Sequence, residues 1–344
     1  MLNIFQINTE MQFQQKCLET FRYQYENVEV YHKFVDYLNI DPSTIQEINK
    51  IPFLPIEMFK NHQILDQNFR TDLYFQSSGT TQKNLSKHWI ADENLYQHSI
   101  LKGFRQFIGN PEDYIFLGLL PSYLEKQHSS LIYMVDFLMK KSGKPENGYF
   151  LYNHAELQEL LNKLSAENRK VILFGVSFAL LDFLDSSSVE SQTLQFSENL
   201  TIIETGGMKG RKEEMTKDEL LKILQNGFGT DRIYSEYSMT ELLSQAYSLG
   251  DNMYESPNWM RILVRNTEDP FSYVEDGRTG AINIIDLANI HSCSFIATQD
   301  LGKILVDSEI SHDAETDSVF LKKKFQVLGR IDHSDIRGCS LLVS

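Results

Sequence analysis

From residue 72 to residue 234 the chain alternates short apolar runs with longer segments of helical period, and few architectures accept that alternation. Strand-length runs fall at 73–76, 88–90, 114–119, 149–152, 170–174, 201–204 and 232–234. Between them, helices are expected over 93–107, with Asp92 as N-cap, and over 129–141 and 156–167. Thr216 with Glu219 three residues later is a capping box that opens a further helix to Gln225. Strands and helices in turn argue for an α/β fold, a sheet with helices on its faces. Beyond residue 255 helical signals stop. Runs at 260–264, 281–286, 294–297, 302–306, 319–328 and 340–343 predict a strand-rich part.

Residues 8–50 read as helical, because Phe13, Cys17 and Phe21 recur every fourth position and Tyr31, Phe34, Val35 and Leu38 continue the stripe. Pro52 and Pro55 punctuate an extended connector. The expected organisation is a helical segment at 1–70 packed on the core, an α/β core at 71–255, and a strand-rich part of the same domain at 256–344. With 344 residues the chain can bury a large core. No apolar run reaches the ~18–20 residues of a membrane span, and the start lacks the basic residues of a signal peptide. A cytoplasmic protein with no integral membrane contact is expected. A net charge of −15 argues against nucleic acid and requires any anionic ligand to be met by local donors. The three cysteines, Cys17, Cys293 and Cys339, form no C-x-x-C pair and read as reduced thiols. The histidines show no metal-ligand spacing.

Against that frame stands the run Ser77-Ser78-Gly79-Thr80-Thr81-Gln82-Lys83, just after a strand. Clustered hydroxyls and a glycine suit a loop that cradles phosphates through backbone N–H groups and side-chain donors. It lacks the spacing of a Walker A loop, and a polar hairpin turn remains the other reading. Two further clusters follow. Tyr237, Thr240 and Glu241 offer a ring on which a base can stack and a carboxylate able to hold Mg²⁺ beside a triphosphate. Asp300, in Thr298-Gln299-Asp300-Leu301-Gly302, and Arg330, in Gly329-Arg330-Ile331-Asp332, suit ribose hydroxyls and phosphate.

This ordered series resembles the adenylate-forming superfamily, which includes acyl-CoA synthetases and luciferase-like ligases. Within it the chain resembles the lux-type acyl-protein synthetases, the long-chain-fatty-acid–protein ligases. Residues 51–60, 205–211 and 336–341 carry the closer match. Departures are Gln82, where the superfamily has glycine after Ser-Gly-Thr-Thr, and Ser238, where it has glycine after the tyrosine. The resemblance implies the large N-terminal-type domain of that fold. Most relatives continue into a mobile C-terminal domain that supplies a lysine; this sequence ends fifteen residues after Gly329, so that domain is expected to be absent.

The resemblance also implies roles. Ser77, Ser78, Gly79, Thr80 and Thr81 would hold the phosphates of ATP. Gly206 and Gly207 would line the adenine site, with Tyr237 stacked on the base. Thr240 and Glu241 would sit at the α-phosphate, with Glu241 holding Mg²⁺ through ATP. Asp300 and Arg330 would take the ribose and phosphate. Lys87, Lys209 or Arg211 would replace the C-terminal lysine, and Pro121, Tyr123 and His128 would line the acyl pocket. Cys339 would accept the acyl group as a thioester, a step that keeps it activated, and pass it to a partner reductase. The expected activity is thus ATP-dependent activation of a fatty acid, with ATP and Mg²⁺ as cofactors and an acyl-accepting reductase or carrier protein as partner. Two alternatives stay open: a ligase that hands the acyl group straight to a carrier protein or coenzyme A with Cys339 inert, and a non-catalytic acyl- or nucleotide-binding subunit.

Overall fold

The structure is a computed structural model and describes residues 3–77, 85–120, 128–186, 199–206, 215–305 and 323–331. Helix α1 (Glu10–Asn27) starts where the Thr9 hydroxyl accepts from the Gln12 N–H at 3.2 Å. It buries Phe13, Cys17, Phe21 and Gln24 on one face, the spacing expected from the sequence. Helix α2 (Glu29–Tyr37) adds Tyr31 and Val35. The expected helical stretch then gives way to two single 3-10 turns, Pro42–Thr44 and Ile48–Lys50. Strand β1 (Leu54–Pro55) and the short helix α3 (Met58–Asn61) follow.

Strands β2 (Tyr74–Gln76) and β3 (Lys87–Trp89) form a separate antiparallel pair. Helix α4 (Glu93–Phe107) begins at Asp92, whose carboxylate accepts from the Asn94 and Leu95 N–H groups. Next come β4 (Ile115–Leu119), α5 (Ser130–Ser142), β5 (Gly148–Tyr149), α6 (His154–Ala166), β6 (Val171–Val176), α7 (Ser177–Leu184) and β7 (Leu200–Thr205). Helix α8 (Lys217–Phe228) opens with the expected Thr216–Glu219 capping box and stops at Gly229, whose φ of 62° suits a residue without Cβ. Strand β8 (Ile233–Tyr237) ends the alternating part.

Strands β5, β4, β6, β7 and β8 lie side by side in that order and all run parallel. Every residue of β4, β6 and β7 is buried, as a parallel sheet covered on both faces requires. Beyond β8 the same sheet turns antiparallel through β9 (Ala246–Ser248), β10 (Tyr254–Glu255), β14 (Phe325–Arg330), β13 (Phe295–Ile304), β12 (Gly280–Asp286) and β11 (Met260–Arg265). Strand β1 pairs parallel with the first half of β13.

Two sequence expectations are corrected here. Runs 294–297 and 302–306 are one strand, β13, because the polar residues between them are satisfied within the sheet. The Thr298 hydroxyl donates to the Ile282 carbonyl at 2.8 Å, and the Asp300 N–H donates to the Thr298 hydroxyl. Helix α7 was not expected: it is buried almost all round, so it shows no polar face to set a period. The expected strand at 340–343 lies outside the described residues. Among those residues no helix is long and apolar enough to cross a membrane.

Candidate active site

The C-terminal ends of β6, β7 and β8 are level, because Val176, Thr205 and Glu236 stand opposite one another across the ladder. In open α/β sheets ligands bind beyond this edge. Gly206 leaves β7 there with φ 77°, a left-handed turn that a side chain would strain. Ser177, the first residue of α7, donates from its hydroxyl to the Glu204 carboxylate and to the Gly206 carbonyl at 3.3 Å, which fixes the turn. Lys217 reaches the other oxygen of Glu204 from the start of α8. Burial alone would lower the Lys217 pKa, but the Glu204 carboxylate outweighs it and holds the ammonium at about 12. The Thr205 hydroxyl, at the end of β7, donates to Glu236 of β8 at 2.5 Å; burial still pushes that carboxyl above its ordinary range.

Tyr237 closes the parallel half of the edge. Its hydroxyl donates to Asp300 Oδ2 at 2.8 Å. Its ring meets Tyr254 and Phe325 in tilted-edge contacts, with centroids 6.0 and 5.8 Å away. Asp300 and Arg330 are direct cross-strand partners in β13 and β14, with Arg330 Nε 3.4 Å from Asp300 Oδ1. The carboxylate is 13% exposed and the guanidinium side chain 82%. Asp300 is thus oriented through one oxygen by a half-buried phenol, while the other faces the exposed Arg330 cation. Such a pair suits hydroxyl and phosphate groups of a nucleotide.

Thr240 and Glu241 sit on the loop after β8, which is tied down by groups the sequence reading did not single out. His88 Nδ1 donates to the Thr240 carbonyl at 3.0 Å. Asn289 Nδ2 donates to the Glu241 carbonyl at 2.8 Å. Buried Asp286 accepts from the Leu243 and Ser244 N–H groups at 2.9 and 3.0 Å and from the Ser244 hydroxyl at 2.6 Å. Glu241 itself is buried, and desolvation raises its pKa against the opposing influence of the Ser86 hydroxyl and the Arg330 and Lys60 charges. Among the described residues it makes no ion pair. A buried carboxylate in that state gains most from a hard cation, which fits Mg²⁺. No cluster of three or more metal-ligating side chains occurs among the described residues.

The other expected site residues divide. The Ser77 hydroxyl accepts from the Ser86 N–H at 3.0 Å, and the Ser77 N–H donates to the Ser86 carbonyl at 3.1 Å, closing the base of the hydroxyl-rich loop. Lys87 and His88 point to opposite sides of β3, as strand neighbours must. The Lys87 ammonium lies 5.0 Å from the Tyr74 ring centroid, and His128 stacks on the same tyrosine at 4.1 Å. The structure therefore gathers Lys87 and His128 around Tyr74, and gathers Thr240 with His88 and Tyr237 with Asp300 and Arg330 elsewhere. Ser78, Gly79, Thr80, Thr81, Pro121, Tyr123, Gly207, Lys209, Arg211 and Cys339 lie outside the described residues. The other two cysteines are buried. Desolvation pushes the Cys17 thiol well up and the Cys293 thiol to about 12, so neither is a ready nucleophile.

Comparison with known proteins bears on the family and the fold. A family model described as acyl-protein synthetase, LuxE, matches residues 3–98 and 132–344. No curated protein sequence matches the chain. Among solved structures, the chain is similar to 2-hydroxyisobutyryl-CoA ligase in complex with 2-HIB-AMP and CoA. In the thioesterification state the TM-score is 0.69 at 11% identity, over 94% of this chain and 68% of that one. In an open conformation it is 0.65 at 11% identity, over 94% and 70%. ATP-bound MatB from Rhodopseudomonas palustris gives 0.52 at 14% identity, over 75% of this chain and 47% of that one. At such identities the likeness establishes the fold, which is that of the adenylate-forming ligases.

Proposed function

Because the chain belongs to the acyl-protein synthetase (LuxE) family, we propose that it activates a long-chain fatty acid with ATP and then carries the acyl group on Cys339. The observation that carries this reading is the Tyr237–Asp300–Arg330 group beside the Gly206 turn, at the strand edge where an α/β sheet takes its ligand. In this reading Gly206, Gly207 and Tyr237 line the base, Asp300 takes the ribose hydroxyls, and Arg330 faces ribose or phosphate. Ser77, Ser78, Gly79, Thr80 and Thr81 hold the β- and γ-phosphates. Glu241 holds Mg²⁺, which when bound supplies positive charge to the phosphates, and Thr240 stands by the α-phosphate. Lys87 is one candidate for the cation that assists the reaction, with Lys209 and Arg211; Pro121, Tyr123 and His128 line the acyl pocket.

A carboxylate oxygen of the fatty acid attacks the α-phosphorus. A new P–O bond forms, the bond to the β-phosphate oxygen breaks, and pyrophosphate leaves. The chain's part is mostly positioning and charge stabilisation. The Cys339 thiol then loses its proton to solvent or a nearby base, and the thiolate attacks the acyl carbonyl carbon. A C–S bond forms, the C–O bond to phosphate breaks, and AMP leaves with the electron pair. The thioester remains activated for a reductase partner.

The test combines two measurements on one pair of proteins. Fatty-acid-dependent exchange of labelled pyrophosphate into ATP reports the first step, and covalent retention of labelled acyl groups reports the second. Cys339→Ser is expected to keep exchange and lose the label. Retained acyl transfer to an added acceptor by Cys339→Ser would replace the thioester step with direct transfer.

A further inference from the structure

Two side chains hold successive carbonyls of the Thr240–Glu241 pair, and each is left with one idle acceptor. His88 donates from Nδ1 to the Thr240 carbonyl, so its Nε2 carries a lone pair; that atom is buried and has no hydrogen-bond partner among the described residues. Asn289 donates from Nδ2 to the Glu241 carbonyl, and its Oδ1 is likewise buried and without a partner among those residues. His88 is 0% exposed and Asn289 1%. Both residues line one cavity of about 10 Å³, together with Leu243, Ala288 and His291. An orphaned buried acceptor is costly, and two beside the same small cavity need a donor between them. A single water has two O–H donors and needs roughly 10–15 Å³ of space, which is near the room present.

We infer that His88 and Asn289 are positioning residues for the Thr240–Glu241 pair, joined behind it by one buried water that donates to His88 Nε2 and to Asn289 Oδ1. The unit is a closed chain: Thr240 carbonyl, imidazole, water, carboxamide, Glu241 carbonyl. It fixes two consecutive peptide groups from two separate parts of the fold, strand β3 and the 3-10 turn after β12. The Phe59 ring stands edge-on to the imidazole, with centroids 5.7 Å apart, and limits its rotation. Burial also draws the His88 pKa down to about 4, which keeps Nε2 an acceptor at neutral pH. Neither residue need touch a ligand; they act by fixing where the Glu241 carboxylate and the Thr240 hydroxyl start from. The functional part of this inference rests on the reading of Glu241 as the Mg²⁺·ATP carboxylate, and the geometric part does not.

The experiment compares His88→Asn with His88→Gln in the full chain. An asparagine amide can place its N–H near the position of Nδ1, whereas a glutamine amide places it near Nε2. Hydrogen exchange without ligand is read over residues 239–245, where the Leu242, Leu243 and Ser244 amides are bonded. His88→Gln and Asn289→Leu are expected to raise exchange there about tenfold, and His88→Asn to recover most of the protection. A crystal structure of the unaltered protein is expected to show one ordered water between His88 and Asn289. In fatty-acid-dependent pyrophosphate exchange, His88→Gln is expected to raise the KM for Mg²⁺·ATP about tenfold with the KM for the acid little changed, and His88→Asn to recover most of that loss. Equal exchange for the Asn and Gln variants, or density showing no shared water, overturns the inference. If the unaltered protein shows no pyrophosphate exchange, the proposed activity fails, while hydrogen exchange and density still decide the positioning.

Discussion

The Tyr237 hydroxyl donates to Asp300 at 2.8 Å and thereby ties the last parallel strand of the sheet to its antiparallel half. The two residues are 63 positions apart. The bond spends one carboxylate oxygen on orientation and leaves the other beside the Arg330 guanidinium. Burial and the adjoining carboxylate both raise the Tyr237 pKa well above that of a free phenol, so the donor keeps its proton across the working range.

Substituting either end of this group separates positioning from charge. Tyr237→Phe keeps the ring and removes the donor, leaving a partly buried carboxylate oxygen with one partner fewer. A hydrogen bond to a charged group contributes about 1.5–3 kcal/mol, so ATP affinity is expected to fall roughly tenfold or more. Arg330→Ala removes an ion pair whose cation is 82% exposed, and its effect on folding is expected within about 0–1 kcal/mol. Calorimetric titration with ATP and urea denaturation of both variants check this. Unchanged ATP binding in Arg330→Ala would remove the guanidinium from the site.

The sequence showed much of this and hid the rest for definite reasons. Tyr237, Asp300 and Arg330 could be singled out because they sit in short motifs whose residue types carry chemistry, and the structure brings these three together. The α/β alternation was legible because half-buried helices keep a polar face, and Asp92 and Thr216 marked two helix starts. Helix α7 was not, since its nearly complete burial erases the period. His88 and Asn289 were invisible for another reason. Each is a lone polar residue whose partner lies 152 and 48 positions away respectively, and nothing local marks it.

Gly302, the glycine of the Thr-x-Asp-x-Gly motif, is required by the sheet. The pairing of β13 with β14 shifts register between Leu301 and Gly302. A Cβ on Gly302 would stand 2.5 Å from the Gln326 carbonyl oxygen and 2.7 Å from Ile282. The first of these is backbone and cannot swing aside. Gly302→Ala is therefore expected to part β14 from β13 locally, lowering stability by about 1–3 kcal/mol, and to misplace Arg330 relative to Asp300. Thermal denaturation reads the first effect. Loss of ATP binding beyond that of Arg330→Ala reads the second, and a variant as stable as the parent would contradict the packing argument.

Glu241 gives the site a pH dependence of known sign. Burial raises its pKa above the ordinary 4.5, so on acidification it takes up a proton sooner than an exposed glutamate would. A protonated carboxyl does not hold Mg²⁺, and cation binding must release that proton. Mg²⁺-dependent ATP binding is thus expected to weaken as pH falls from neutral through the raised pKa, with proton release on binding visible as buffer-dependent heat in calorimetry. Glu241→Gln is expected to bind more weakly at pH 7 and to show a flatter profile. A profile in Glu241→Gln parallel to that of the parent would place the titrating group elsewhere.

The Glu10–Arg261 pair sets a second pH effect, on folding. Both guanidinium nitrogens Nη1 and Nη2 donate to the Glu10 carboxylate, at 2.6 and 2.8 Å, joining the first turn of α1 to β11. Arg261 also lies 4.0 Å over the Phe13 ring. Burial would raise the Glu10 pKa, but the hydrogen bond and charge of Arg261 outweigh it, and the folded-state value lies below 4.5. A carboxyl depressed on folding adds stability that is fully present above its unfolded pKa and lost as pH falls through the folded one. Arg261→Gln is therefore expected to be less stable than the parent by about 1–3 kcal/mol at pH 7. The part of that gap due to the ion pair should begin to close below about pH 4.5 and vanish once Glu10 is protonated in both proteins. The rest, from the lost contact with Phe13, should persist. Urea denaturation of both proteins at steps between pH 7 and pH 3 measures it, and a gap independent of pH would show that Arg261 acts on α1 through packing alone.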